Sequence, residues 1–238
     1  MLGMDSIWTR QRPAASARET LSREQIVKTT MELLDTEGLA GLSMRKLAAR
    51  LDSGATSLYW HVQTKDDLID LVVDEAYGEV DVPDAELAGW RAGALLFAHS
   101  LRAVVLRHGW LPEVIYLRPS VGPNAISMGG RGLKLFAAAG FTGRDIDYAM
   151  SAVLSFVLGT ANSQAAWEAS VRRSGRSLEQ MNSEILAGVD QITAAEPMMH
   201  ESIQRRRVVS MDQLQNESFA FGLDSLLDGL EKRLSPDR

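Results

Sequence analysis

The stretch "LSMRKLAARLDSGATSLYWHV", residues 42–62, constrains the fold more than any other part of the chain. Met44, Leu47, Ala48 and Leu51 recur at i, i+3, i+4 and i+7, the spacing of one helical face. Ser43 caps that helix, and Leu42 and Leu47 flank the cap as a hydrophobic staple. "DSGA" then turns the chain, with Gly54 supplying backbone freedom. "ATSLYWHV" is long enough for one or two helical turns, and Leu58 and Val62, four apart, are its buried pair. That leaves Ala55, Thr56, Ser57, Tyr59, Trp60 and His61 facing outward. Two short helices joined by a tight turn, the second with a small apolar stripe and a polar, aromatic outer face, make a helix-turn-helix. Its second helix is expected in a DNA major groove. Tyr, Trp, His and Lys all donate hydrogen bonds to phosphate oxygens, which gives Tyr59, Trp60, His61 and Lys65 a common role. The competing reading makes Tyr59 and Trp60 core aromatics.

The flanks carry clear helix punctuation. Ser22 and Gln25 form a capping box, Leu21 and Ile26 a staple, and Gly38 a stop, which predicts a helix over about 22–37. Thr64 and Asp67 open a further helix running to about 79. The 238-residue chain has a formal net charge of −6, which by itself disfavours nucleic acid. Residues 1–65, however, hold nine Lys/Arg against seven Asp/Glu, so the acidity belongs to the remainder. A mildly basic head on an acidic body fits a polyanion-binding head. Arg10, Arg12 and Arg18 make residues 1–20 a flexible basic arm, a DNA-tracking segment or a plain tail.

Several classes fall away. The chain contains no cysteine, so it offers no disulfide framework, thiolate metal site or cysteine nucleophile. It has no Gly-rich phosphate loop and no HExxH pair. His61, His99, His108 and His200 are scattered and read as structural. Neither an enzyme nor a metal site nor a cofactor is expected. No apolar run reaches the roughly 18–20 residues of a membrane span, and no signal-peptide core opens the chain, so a cytoplasmic protein is expected.

The body is helical throughout. "PDAELAGWRAGALLFAHSLRAVVLRHG" sets Leu87, Trp90, Ala94, Phe97, Leu101, Val104 and Val105 along one broad face. In "ISMGGRGLKLFAAAG", Gly129, Gly130 and Gly132 predict a helix that begins late or is loose, since each glycine costs about 1 kcal/mol relative to alanine. "RDIDYAMSAVLSFVLGTANSQAAWEASV" predicts a long helix over about 143–171. Residues 172–213 are polar and read as a flexible stretch plus one short helix. In the final segment, Leu223, Leu227, Leu230 and Leu234 form a seam for helix-on-helix packing.

"GLAGLSMRKLAARLDSGATSLYWHVQTKDDLIDLVVDEAY" resembles the tetracycline-repressor (TetR) family of one-component transcriptional regulators, and within it the tetracycline repressor's own subgroup. Fainter matches follow in order: "GW" at 89–90, "LRPS" at 117–120, "AAAGF" at 137–141, "SAVLSFVLGT" at 151–160 and "FAFGLDSLLDGLE" at 219–231. The resemblance implies an all-α homodimer with a three-helix DNA-binding head over 21–66 and a ligand-binding and dimerisation body over 67–238. It places Arg45, Ala55, Thr56 and Ser57 near bases and Tyr59, Trp60, His61 and Lys65 on phosphates of a double-stranded, near-palindromic operator. It also makes Leu223, Leu227, Leu230 and Leu234 part of the dimer seam. The subgroup's magnesium-ligating histidine has no counterpart in "EVIYLRPS", so a bulky, largely hydrophobic effector is expected instead. Its candidate contacts are Phe97, Leu101, Trp110, Tyr116, Met128, Asn162, Gln164 and Trp167. The function implied is a ligand-responsive repressor. The alternative is a dimeric DNA-binding regulator without small-molecule input.

Overall fold

The computed structural model describes residues 7–8, 21–117, 119–193 and 195–234, with the backbone alone at 55, 56, 190 and 191. Among these residues there are twelve helices and no strand. The chain divides into two compact units, Met1–Ala139 and Gly140–Arg238. The basic arm lies outside the described residues apart from Ile7, which is buried, and Trp8, which is half-buried.

In the first unit, α1 (Arg23–Gly41) starts at the expected capping box: Ser22 Oγ accepts from the Gln25 N–H at 3.2 Å, and Gln25 Oε1 accepts from the Ser22 N–H at 2.8 Å. The staple pair Leu21 and Ile26 is buried. Gly38 takes φ 67°, a left-handed conformation open to glycine, so the helix kinks there and adds a last turn to Gly41. α2 (Met44–Arg50) is capped by Ser43. α3 (Ala55–His61) follows a turn in which Asp52 has φ 47°. α4 (Lys65–Gly78) opens on a second capping box, Thr64 with Asp67.

α4 organises this unit. Leu68, Leu71, Val72, Val73, Ala76 and Tyr77 are all buried. The helix packs on α1 and also on α8 (Pro123–Ala139). Between them in sequence come α5 (Ala85–Ala88), α6 (Trp90–Arg107) and α7 (Leu111–Val114), with α6 packed on α8. A boundary at 66/67 falls inside the first turn of α4. The compact division falls at 139/140 instead.

α8 departs from expectation. It begins at Pro123 and runs without interruption through Gly129, Gly130 and Gly132. Its start is fixed from outside: Asp74 of α4, 4% exposed, accepts from the Ala125 N–H at 2.9 Å and the Asn124 N–H at 3.2 Å. A carboxylate from a neighbouring helix thus satisfies two of the orphan donors that every helix N-terminus carries. Gly122 makes room for it, because a Cβ there would fall on the Asp74 carboxylate.

In the second unit, α9 (Arg144–Ser174) ends at Gly175, which is left-handed with φ 69°. The region expected to be flexible forms two helices, α10 (Leu178–Thr193) and α11 (Pro197–Arg207). Ser177 and Gln180 make a capping box at the start of α10, at 3.1 and 3.0 Å. Proline opens α11, where its missing N–H costs no intrahelical bond. α12 (Met211–Leu234) packs along α9, with Phe219 against Phe156 at a ring-centroid distance of 5.5 Å. Leu223 and Leu227 are fully buried and Leu230 nearly so, while Leu234 is half-buried. Three of the four seam residues are thus covered within the chain. A side chain already removed from water inside one chain has no area left to bury against a second copy.

Gly122→Ala should destabilise the fold by about 1–3 kcal/mol, read by urea denaturation, because the added methyl displaces the Asp74 carboxylate. Burial pushes the Asp74 carboxyl above its ordinary value, against the pull of the Ala125 and Asn124 N–H groups. A raised native value means the folded state holds the proton more tightly. Stability from this group therefore declines as pH rises from the ordinary aspartate range through the raised one. Asp74→Asn removes that decline, so the variant's stability relative to the parent should increase with pH over that interval.

Candidate nucleic-acid interface

α3 is held by two side chains. Leu58 and Val62 are 0% exposed. Tyr59 is 48% and Trp60 68% exposed, so neither serves the core. Ser57 is exposed and His61 half-buried. Arg45 on α2 and Lys65 at the first position of α4 are also exposed. The structure thus presents Arg45, Ser57, Tyr59, Trp60 and Lys65 to solvent on three consecutive short elements, with His61 at their edge. Ala55 and Thr56 begin α3, and their side chains lie outside the described residues.

The basic residues of α2 are not equivalent. Lys46 and Arg50 both pair with Glu37 at the end of α1, Arg50 Nη2 at 3.2 Å. The Lys46 hydrogen bond, with Arg50 beside it, holds the Glu37 carboxyl below its ordinary value. Arg45 makes no ion pair among the described residues. Lys65 Nζ donates only to the Leu39 carbonyl, at 3.4 Å. Arg45 and Lys65 are therefore the cations of this surface left for an outside anion, while Lys46 and Arg50 stitch α2 to α1. Exposure on the sequence pattern alone did not separate the two pairs. The partner, Glu37, lies nine and thirteen residues upstream and carries no local signal.

The effector candidates divide between the units. In the first, Phe97, Leu101, Trp110 and Met128 are buried, and Tyr116 is 64% exposed. In the second, Asn162, Gln164 and Trp167 are half-buried on α9. A cleft of about 430 Å³ does occur within the first unit, but other residues line it: Leu39, Ile69, Val73, Val114, Leu117 and Val121 give apolar surface, Asp66 and Asp70 acidic surface, and Trp8 an aromatic face. None of the eight candidates is among its lining. The large apolar side chains chosen from the sequence are consumed by packing: Phe97 and Trp110 are among the largest fully buried side chains. Among the described residues no group of His, Asp and Glu is arranged to hold a metal. No described helix is long and apolar enough to cross a membrane.

Comparison with known proteins bears on this surface. Residues 26–72 match the family model described as bacterial regulatory proteins, tetR family, and residues 82–234 match the tetracyclin repressor-like C-terminal domain. An HTH-type transcriptional regulator of Saccharopolyspora erythraea is 40% identical over 162 residues, covering 68% of this chain and 69% of that protein. The HTH-type transcriptional repressor DrrR1 of Streptomyces coeruleorubidus is 32% identical over 237 residues, covering 96% and 84%. The Streptomyces coelicolor TetR family protein ActR, solved in complex with actinorhodin, superposes with a TM-score of 0.76 at 28% identity, over 91% of this chain and 100% of that one.

Lys65→Ala should weaken DNA binding equally across sequences and lower the salt slope by about one unit, measured as affinity against salt concentration. Ser57→Ala should instead change which sequence is preferred in a binding-site selection, since the N-terminal residues of a helix-turn-helix second helix are the ones directed at base edges.

Proposed function

The chain belongs to the tetR family of bacterial regulatory proteins, ligand-responsive DNA-binding transcriptional regulators, and on that premise we propose that it is a homodimeric repressor. It holds a near-palindromic operator and releases it when a bulky, largely hydrophobic small molecule binds the body. The relatives are named transcriptional regulators and repressors, and the chain is not an enzyme.

The observation that carries the operator reading is the division of labour in α3: two residues fully buried, and Tyr59 and Trp60 left at 48% and 68% exposure. Large aromatics are seldom kept in water without a partner to cover them. Here the partner is a phosphate backbone, flanked by Lys65 and by Arg45, which has no ion pair among the described residues. Ala55, Thr56 and Ser57 sit at the N-terminal end of α3, the end that helix-turn-helix proteins direct at bases.

The dimer reading moves to the outer faces of α9 and α12. Tyr148 and Phe221 are 62% and 78% exposed there, and Ser151, Ser155, Gly159 and Ser163 form an exposed row of small residues at four-residue spacing. Small side chains let a facing helix approach closely, and Phe221 supplies area to bury. Two-fold symmetry then pairs the heads across half-sites about one DNA turn apart. The effector reading is supported by ActR, of which structures in complex with actinorhodin and with (S)-DNPA exist. The site of action is the cytoplasm, where the operator is reached.

Selection of binding sites from random duplex DNA, at stated salt, should return a near-palindrome with half-sites about 10 base pairs apart. Lack of any enriched sequence from the folded protein would overturn the operator reading. Phe221→Glu should convert the dimer to a monomer in light scattering; an unchanged mass would move the dimer face elsewhere. A screen of small molecules by thermal stabilisation, followed by release of the selected operator, tests the effector. A stabilising compound that leaves the operator bound would reject release.

A further inference from the structure

His108 ends α6 and is 3% exposed, yet both of its ring nitrogens face carboxylates. Nδ1 lies 2.8 Å from Asp35 Oδ1 on α1, and Nε2 lies 3.1 Å from Glu79 Oε1 at the C-cap of α4. Ionised carboxylates accept and do not donate, and neutral imidazole has a single N–H. Both contacts are hydrogen bonds at the same time only when the ring carries two protons. The surroundings are knitted further. Trp110 Nε1 donates to the same Asp35 Oδ1 at 2.7 Å, and the Arg107 guanidinium pairs with Glu79. The His108 and Trp110 rings stand 5.7 Å apart. Asp35, Glu79 and Arg107 are the charged groups the structure places on this centre, and all belong to the first compact unit.

The geometry points to His108 as a positioning residue for operator binding: as an imidazolium it latches α1 to the end of α4 and to the turn between α6 and α7. The path to the DNA surface is short. α1 packs on α2, and α2 packs on α3. A latched α1 fixes the direction in which α3 is presented, so less freedom is lost when two heads engage one duplex. The single Asp35 oxygen shared by Trp110 and His108 makes the latch sensitive to movement of the α6–α7 turn, because displacing the indole disturbs the acceptor on which α1 is held. This inference rests on the reading that α3 engages an operator.

The test uses the full chain and the operator recovered by site selection. Asp35→Asn and His108→Gln should each weaken operator affinity about tenfold, and the double variant should be no weaker than the worse single one, as expected of one linked unit. Additive losses would overturn the latch. Failure of the parent to bind any duplex would instead defeat the operator reading beneath it. A further measurement needs no variant: ¹⁵N spectra of the histidine rings should show one ring with both nitrogens protonated and protected from solvent. A neutral ring at position 108 would sink the proposal.

Discussion

Fourteen residues are few for a helix that must serve two sets of neighbours, and the first compact unit depends on α4 doing so. One side completes the core with α1, and another packs on α8. Burial on so much of the perimeter leaves little room for polar groups, and the two carboxylates buried on this helix are both used as caps. Asp67 reaches back to its own Thr64 N–H, and Asp74 reaches across to the first turn of α8. The N–H groups and the positive end of the α8 dipole offset only part of the burden of desolvating Asp74, whose carboxyl stays above its ordinary value. The same carboxylate sets where α8 begins, which is why its glycines do not delay the start.

Much of the head was legible because its signals are local. The capping boxes at Ser22 and Thr64, the cap at Ser43, the staple of Leu21 with Ile26, and the stop at Gly38 all act within five residues. Each was found where its spacing placed it. So was the outward face of α3, which follows from two apolar residues four apart. The long-range contacts were not legible. Asp74 meets Ala125 and Asp35 meets His108 across 51 and 73 positions, and no periodicity connects them. Residues 172–213 are a different case. The box formed by Ser177 and Gln180 and the proline at 197 were both present in the sequence, but the polar composition around them hid two helices. Composition reports how much of a segment is buried. Capping reports whether it is helical.

The effector and seam residues show where residue type alone does not discriminate. Large apolar side chains suit a pocket wall, a dimer seam and a core equally well, and the core fills first. Phe97 and Leu101 became interior packing in the first unit, and Leu223 and Leu227 in the second. Apolar area left in water, as at Phe221 and Tyr148, is the better guide to a surface that a partner could cover. The electrostatics obey the same rule. Lys46, Arg50 and Arg45 are close in sequence, but only Glu37 decides which of them bind within the chain.

The sparse fastening of α3 has an evolutionary consequence. Among the described side chains Leu58 and Val62 alone tie this helix to the interior, so substitutions at Ser57, Tyr59 or Trp60 remove almost nothing from the core. Recognition and foldability are therefore separate traits in this protein. A lineage carrying it is free to drift toward new DNA addresses while its scaffold, and the chemical signal that scaffold senses, stay the same.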